Sequence, residues 1–203
     1  MTRRKLLLAL PMLRALAGNP AAPLVVPIHH LIDRSANLSK AHLDLYWRSI
    51  WPEAAKTFGA CGIQLDSHPG DAKIERPPGR EPVVHGIDFG VINLVVTSQV
   101  PMEWDNGRSL NGMTTLYRGR PLCLVALYHA HGNQFPLLSV NTCVHELLHA
   151  LLEDIFERRP RGMQGEMREA RVDSYATRMW LFHDGAAVRR AAAEYLQKLS
   201  RPV

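Results

Sequence analysis

The sequence lacks several features that define whole classes of protein. Its 203 residues contain no internal repeat and no low-complexity tract, which argues against repeat architectures and against a disordered chain. Only three cysteines are present, Cys61, Cys123 and Cys143, too few for the disulfide framework of a small secreted domain. They either form one bridge and leave one thiol, or all remain free. The apolar run at residues 6–16 is too short to span a membrane.

That apolar run has the surroundings of a secretory signal. Basic residues at positions 3–5 precede it, and small residues at positions 15–17 provide a cleavage site. The arginine pair at its start resembles a loose twin-arginine signal. We therefore expect residues 1–17 to be a signal peptide and the mature chain to be exported, as a periplasmic or secreted protein. A buried N-terminal helix or a retained anchor is the alternative.

Loss of this segment removes most of the net positive charge. The whole chain has a formal charge of +5, and residues 1–17 contain four basic and no acidic residues, so the mature chain carries +1. No basic face then remains that would bind nucleic acid. The 186 residues 18–203 are enough for one domain with a hydrophobic core. We expect no stable membrane association of this mature chain.

The motif that carries chemical information is His145-Glu146-Leu147-Leu148-His149. Positions i and i+4 lie on the same face of an α-helix, so both imidazoles can reach a single metal ion. The carboxylate of Glu146 lies beside that ion, where it can accept a proton from a zinc-activated water that attacks a carbonyl carbon. The motif therefore predicts one Zn²⁺ ion, with His145 and His149 as ligands and Glu146 as general base.

The residues around the motif predict a helix. Residues 139–156 contain no glycine or proline, and Ser139 or Asn141 can cap the N-terminus. Apolar side chains recur at intervals of three and four residues, as in a helix packed into a core. They are Val144, Leu147, Leu148, Leu151, Leu152 and Ile155. The two histidines should then lie along one edge of the buried face.

A catalytic zinc site has three protein ligands and one open position, so a third ligand is expected downstream. Glu169 lies 20 residues beyond the second histidine, and Asp173 shares its helix face at i+4. Asp173 is suited to accept the ring N–H of His145 and so to fix the tautomer of that ligand. Glu166 and Glu153 remain alternatives for the third ligand.

The HELLH motif with a later Glu-x-x-x-Asp on a second helix resembles the gluzincin metallopeptidases, the thermolysin-like branch of the zincins. The resemblance covers residues 139–180 and implies a zinc metallopeptidase that hydrolyses peptide bonds, with an endopeptidase preferred over an exopeptidase. It implies the following roles: zinc ligands His145, His149 and Glu169, general base Glu146, and outer support Asp173. The metzincin pattern HExxHxxGxxH is excluded, because the corresponding positions are Leu152 and Ile155.

The same resemblance implies an α+β, zincin-like fold. An N-terminal twisted mixed β-sheet with a backing helix and the active-site helix would extend to about residue 157, and a small helical C-terminal subdomain would span about 162–203. Strands are predicted at residues 24–32, 62–66, 90–97, 113–117 and 122–128. The β-branched run 90–97 should be a central strand buried on both faces, and the last two strands a hairpin or edge pair.

Other segments complete this description. Residues 39–58 predict an amphipathic helix that Pro52 kinks or restarts. Residues 68–82 and 101–112 predict surface loops. The adjacent His29 and His30 should face opposite sides of their strand.

Two further expectations concern the substrate. Residues 122–130 are the candidate edge strand that would bind an extended peptide by strand addition, and an ordinary buried strand is the alternative. The oxyanion formed on attack needs a hydrogen-bond donor besides zinc. The candidates for this donor are Tyr175, His183 and Tyr128.

Two other functions are compatible with the same residues. A noncatalytic, zinc-stabilised domain that binds a protein or peptide would have a closed coordination sphere, with a fourth protein ligand in place of water. A zinc hydrolase acting on a non-peptide amide, such as a cell-wall cross-link, would keep the open position. The preferred prediction is a zinc metallopeptidase whose partner is a peptide or protein substrate.

Overall fold

The computed structural model describes residues 22–100, 111–127, 140–152 and 163–199, which form a β-rich first part and a helical second part. Strands β1–β6 span Leu24–Asp33, Ile63–Glu75, Val83–His85, Ile92–Thr97, Gly112–Tyr117 and Arg120–Ala126. Helices α1–α5 span Lys40–Leu45, Trp51–Ala60, Val140–Leu151, Met163–Phe182 and Ala186–Leu199. A π-helical turn, Tyr46–Ile50, joins α1 to α2.

These strands form one mixed sheet in the order β3-β2-β1-β4-β6-β5. Strands β2, β1, β4 and β6 run parallel to one another. The two outer strands, β3 and β5, run antiparallel to their neighbours. The parallel neighbours β1 and β2 are connected by α1 and α2, as a parallel pair requires a crossover. The predicted α+β class with a mixed sheet is confirmed.

The main hydrophobic core lies between the helices and one face of the sheet. Buried side chains from the strands include Val26, Ile28, Ile63, Ile92, Leu94, Val96, Cys123 and Val125. The helices contribute Ala54, Phe58, Val144, Leu147, Leu148, Leu151, Val172, Met179, Val188, Ala192 and Tyr195. The last two helices, which were expected to form a helical subdomain, therefore pack into the same core as α3.

Strand β4 is the centre of this sheet. All six of its residues are buried, and it pairs on one side with β1 and on the other with β6. Five of these residues are β-branched or aliphatic, which suits a strand covered on both faces, and the side chain of the sixth, Asn93, is hydrogen-bonded to the main chain of Asp88. The central strand predicted at residues 90–97 is confirmed.

The helix predicted at residues 39–58 is interrupted before Pro52. The π-helical turn ends at Ile50, and α2 begins with Pro52 in its first turn. Proline has no N–H to continue the hydrogen-bond ladder of the preceding turn, but in the first turn of a helix that donor is not needed. The backbone stays helical from Leu45 to Trp51, so Pro52 follows a π-helical irregularity within one helical stretch, and neither the predicted kink nor the predicted restart is established.

This irregular turn places aromatic side chains around a buried histidine. His30 is fully buried, and its Nε2 lies 2.8 Å from the hydroxyl of Tyr46, while its Nδ1 lies 3.3 Å from the hydroxyl of Ser67. The same Tyr46 hydroxyl lies 3.8 Å from the sulfur of Cys143 in α3. Burial lowers the pKa of His30 to about 3. The group therefore links β1, the turn and the start of α3 through neutral contacts.

The adjacent His29 lies on the other side of β1, as predicted. A Cβ atom at Gly70 of β2 would lie 2.8 Å from His29 Nε2 and 3.0 Å from a methyl group of Leu31. The glycine thus leaves room for side chains of the opposite face to lie over β2.

Strand β2 corrects the prediction for residues 62–82. A short strand at 62–66 and a loop from 68 were expected, but β2 continues to Glu75 and includes Pro69 and Gly70. Among the described residues, β2 pairs with β3 only at Lys73–Glu75, so the stretch around Pro69 has a partner on one side alone. A proline without an N–H is tolerated on such an open side.

The hairpin of β5 and β6 confirms one expectation and corrects another. The strands are antiparallel and joined by Arg118 and Gly119, both with positive φ (50° and 79°), as in the tight turns that match strand twist. The expected edge strand at residues 122–130 is wrong, because β6 pairs with β4 on one side and β5 on the other. The edge strand is β5. Residues 128–130 lie outside the described part.

The cysteines and the helices bear on the expected disulfide and membrane features. All three cysteines are free, with Cys123 and Cys143 buried and Cys61 half-buried. Among the described helices, none combines the length and apolar character needed to cross a membrane.

Candidate metal centre

Helix α3 presents His145 and His149 one turn apart on its exposed edge. Its apolar side is held against the sheet by Leu147, Leu148 and Leu151, which are fully buried. The two Nε2 atoms lie 3.0 Å apart, and the ring centroids are 4.7 Å apart. The side chains of His145 and His149 are 20% and 10% exposed, so both rings are largely shielded but remain at the protein surface.

Helix α4 brings two carboxylates to these rings. Val172 and Met179 are fully buried and orient α4, so that Glu169 and Asp173 share the face directed at α3. Glu169 Oε2 lies 3.0 Å from His145 Nε2, and Glu169 Oε1 lies 3.4 Å from His149 Nε2. The Nδ1 atom of His145 lies 3.0 Å from Asp173 Oδ1.

The spacing of these atoms fits a tetrahedral zinc ion. One ligand atom from each of His145, His149 and Glu169 lies within 4.8 Å of the other two. Zinc–ligand bonds of about 2.0–2.2 Å at tetrahedral angles separate the ligand atoms by about 3.3 Å. The closest pairs, at 3.0, 3.0 and 3.4 Å, are near this value.

The chemistry of the donor set also fits a cation. A neutral imidazole that donates its Nδ1 proton to Asp173 has only a lone pair at Nε2. His145 Nε2 would then face the Nε2 of His149 and the Oε2 of Glu169, both of them able to supply lone pairs. Such acceptors lie this close to one another only when a proton is shared among them, on an imidazole Nε2, or when a metal ion binds between them.

The electrostatics of the cluster reflect this requirement. Burial lowers the pKa of His145, but its hydrogen bond to Glu169 and the negative charges of Glu146, Glu169 and Asp173 outweigh that effect and raise it to about 9. Hydrogen bonds from His145 and His149 hold the pKa of Glu169 well below its usual range. In the metal-free protein, a proton therefore occupies the cluster at neutral pH.

Glu146 lies inside the protein, next to the cluster in sequence but not among its ligand atoms. It is 5% exposed, and the hydroxyl of Thr114 in β5 lies 2.8 Å from its Oε2 and 2.9 Å from its backbone oxygen. Burial raises the pKa of Glu146, although the neighbouring histidines and Thr114 act against this shift. A shielded carboxylate with a raised pKa has the properties of a general base.

The structure thus brings together the five residues expected to form the centre: His145, Glu146, His149, Glu169 and Asp173. The Glu153 position, the Glu166 side chain and Tyr128 lie outside the described residues.

The other two candidate oxyanion donors lie elsewhere. Tyr175 follows Asp173 by two residues, about 200° around the helix axis, and packs against the main core. The guanidinium of Arg171 lies 5.9 Å from the centre of its ring. His183 follows the end of α4, about 15 Å along the axis from Asp173.

Sequence patterns did not point to Thr114 or Gly112, the β5 residues that contact Glu146. Threonine and glycine have no metal or acid–base signature. The strand alternation alone could have indicated them, because it places residues 112 and 114 on the same face of the sheet.

Comparisons of this chain with protein-family models, with curated proteins and with solved structures found no match. Function is therefore inferred from the residues of the centre and the fold that positions them.

Proposed function

We propose that this chain is a zinc-dependent metallopeptidase in which His145, His149 and Glu169 hold one zinc ion and Glu146 is the general base. The observation that supports this most directly is the convergence of two imidazole nitrogens and a carboxylate from separate helices at the spacing of zinc ligands. When bound there, zinc would supply Lewis-acid activation of water and of the scissile carbonyl group.

The protein groups around the ion have distinct tasks. Asp173 accepts a hydrogen bond from the Nδ1–H of His145, which directs the Nε2 lone pair of that ring into the cluster. Glu146 accepts a proton from the attacking water and returns it to the leaving amine nitrogen. Because Glu146 is buried, its carboxylate is poorly hydrated, and this favours proton uptake.

The fold is compatible with a peptide substrate and with a zincin-like arrangement. Strand β5 is one of the two outer strands of the described sheet, and its Thr114 contacts the helix that carries both histidines. Among the described strands, only β6 pairs with β5, so the other side of β5 can accept an extended peptide by strand addition. Strand β5 takes the role that the sequence analysis gave to residues 122–130.

We also propose that residues 1–17, which lie outside the described part, direct export and are removed. The mature protein would then meet peptide or protein substrates in a periplasm or outside the cell, without nucleic-acid partners. Expression of the full chain in a bacterial host, followed by fractionation and N-terminal sequencing, tests this directly. Export with a new N-terminus at Gly18 is expected, and an intact chain confined to the cytoplasm would contradict it.

Catalysis is tested by comparing the wild type with Glu146→Gln after zinc loading. The probes are dye-quenched casein, a mixture of unstructured peptides analysed by mass spectrometry, and soluble murein fragments. We expect the wild type to cleave peptides, and a chelator to stop cleavage until zinc is returned. Glu146→Gln should lower turnover by at least about 100-fold with one zinc still bound.

A matched control separates this effect from a general loss of charge. Glu194→Gln changes an exposed glutamate of α5 and should leave turnover unchanged. Near-normal turnover in Glu146→Gln would refute the assigned base. Cleavage of murein fragments without cleavage of any peptide would assign the centre to a non-peptide amide, and zinc binding without any hydrolysis would favour a noncatalytic domain.

A further inference from the structure

We propose that Thr114 is a positioning residue that fixes the carboxylate of Glu146, and that Gly112 provides the space this carboxylate needs. Both residues lie in the edge strand β5, two positions apart on the same face. The inference depends on the proposed role of Glu146 as general base. It adds a determinant of the reaction that lies outside the helix and the metal ligands.

The contacts of Thr114 are directed at one residue. Its hydroxyl lies 2.8 Å from Oε2 of Glu146 and 2.9 Å from the backbone oxygen of the same residue. The sulfur of Cys123, directly opposite Thr114 in β6, lies 3.5 Å from that backbone oxygen as well. Both the main chain and the side chain of Glu146 are thus tied to the β5–β6 hairpin.

Gly112 explains how Glu146 fits against the strand. A Cβ atom at position 112 would lie 2.6 Å from Oε1 and 2.8 Å from Cγ of Glu146, and 2.7 Å from a methyl group of Thr142. These distances are shorter than van der Waals contact, so any larger residue would displace the Glu146 side chain. Two β5 residues therefore fix the position of the Glu146 carboxylate: Gly112 leaves the space that it occupies, and Thr114 donates a hydrogen bond to it.

The alternation of β5 makes this arrangement specific. Thr114 pairs with Cys123, whose side chain belongs to the main core on the helix side. The adjacent Thr115 pairs with Leu122, whose side chain belongs to the cluster on the opposite face of the sheet. Thr115 has the same chemistry and the same strand but cannot reach Glu146, which makes it a matched control.

Fixing the base matters because proton transfer depends on its geometry. A general base must lie within hydrogen-bond reach of the proton that it removes, and a misplacement of about 1 Å can cost on the order of 100-fold in rate. Without Thr114, the carboxylate of a long flexible side chain would have several rotamers available. Zinc affinity would not change, because Thr114 touches none of the proposed ligands in the contacts described above.

The experiment compares Thr114→Val, Thr114→Ser and Thr115→Val in the zinc-loaded protein, with the peptide mixture as substrate. Valine has the shape of threonine without its hydroxyl, and serine retains the hydroxyl. We expect Thr114→Val to lower kcat about 10- to 100-fold with KM within twofold of wild type and one zinc bound. Thr114→Ser should restore most of kcat, and Thr115→Val should match the wild type. Gly112→Ala should lower kcat in the same way as Thr114→Val.

A second readout does not depend on turnover. In crystal structures of the metal-free proteins, Glu146 Oε2 should keep its hydrogen bond in Thr114→Ser and move in Thr114→Val. Wild-type kcat in Thr114→Val, or an unmoved carboxylate in its crystal structure, would overturn the inference. Full activity of Glu146→Gln would instead overturn the proposed function, and the crystal structures would still decide whether Thr114 holds Glu146.

Discussion

Replacement of Glu169 is the most direct test of the candidate metal centre. Of the three described residues proposed to bind zinc, Glu169 alone is acidic and alone lies on α4, whereas both histidines lie on α3. Glu169→Gln keeps the length and one oxygen donor but removes the charge, and Glu169→Ala removes the donor as well. Both variants should therefore weaken zinc binding, the alanine variant more strongly.

The size of the effect follows from the number of ligands. Structural zinc sites bind with about 10–16 kcal/mol, so an equal share among four ligands is about 2.5–4 kcal/mol for each. This corresponds to a loss in affinity on the order of 100- to 1,000-fold. The Glu169 side chain is 59% exposed, so solvent screens part of its attraction for the ion. We expect a loss near 100-fold for glutamine and near 1,000-fold for alanine.

The assay is a competitive zinc titration of the metal-free proteins against a chromophoric chelator, with metal content measured by mass spectrometry. Glu194→Gln in α5 is the control for loss of one exposed negative charge and should bind zinc as the wild type does. Circular dichroism shows whether each variant keeps its helices. Unchanged zinc affinity and stoichiometry in both Glu169 variants would refute the assignment and point to Glu166 or Glu153 as the third ligand.

Three more predictions concern the support of the centre and of the sheet. Asp173→Asn should weaken zinc binding about 10- to 100-fold in the same titration, because Asp173 orients a ligand without binding the ion; an unchanged affinity would exclude that role. His30 has a folded-state pKa of about 3, below the unfolded value of about 6.5, so protonation favours unfolding. The free energy of unfolding should fall by about 2 kcal/mol through this residue between pH 6.5 and pH 5. Urea denaturation of wild type and His30→Phe should show this pH-dependent difference, and parallel pH profiles would contradict it. Asp33 is 2% exposed and accepts hydrogen bonds from Ser35, the Ile74 N–H and Thr97. Asp33→Ala should therefore lower the free energy of unfolding by about 3 kcal/mol. Asp44→Ala is the exposed control, and an equal urea midpoint of unfolding for the two variants would refute this effect.

The parts of the fold that were predicted correctly are those in which local pattern and tertiary environment agree. Five of the six residues of buried β4 are β-branched or aliphatic, and few other environments suit such a run. The positions of His145 and His149 on one face follow from the period of the helix alone. Asp173 lies four residues after Glu169 and was placed on its face by the same rule, and the 3.0 Å contact with His145 agrees with it.

The incorrect parts are those decided by contacts between distant segments. Residues 67–75 contain a proline and a glycine, and the local sequence does not predict the pairing with β1 that makes this stretch a strand. Likewise, the residues of β6 suit an edge position and an interior position equally well. Strand β6 is an interior strand because β5 pairs with its outer side. The contact of Thr114 with Glu146 spans 32 residues and depends on both of these pairings.

The residues of the candidate centre differ in burial between the two helices. His145 and His149 stand on a helix whose other side is fully buried against the sheet, and the Glu146 between them is tied to the β5–β6 hairpin. Glu169 and Asp173 lie on α4, with side chains that are 59% and 70% exposed. Ordering exposed side chains costs conformational entropy, so most of the entropy lost on forming the complete ligand set comes from the side chains of α4. A bound cation would offset this loss only when the carboxylate of α4 reaches the nitrogens of α3. Metal binding and the packing of α4 on α3 would therefore stabilise each other.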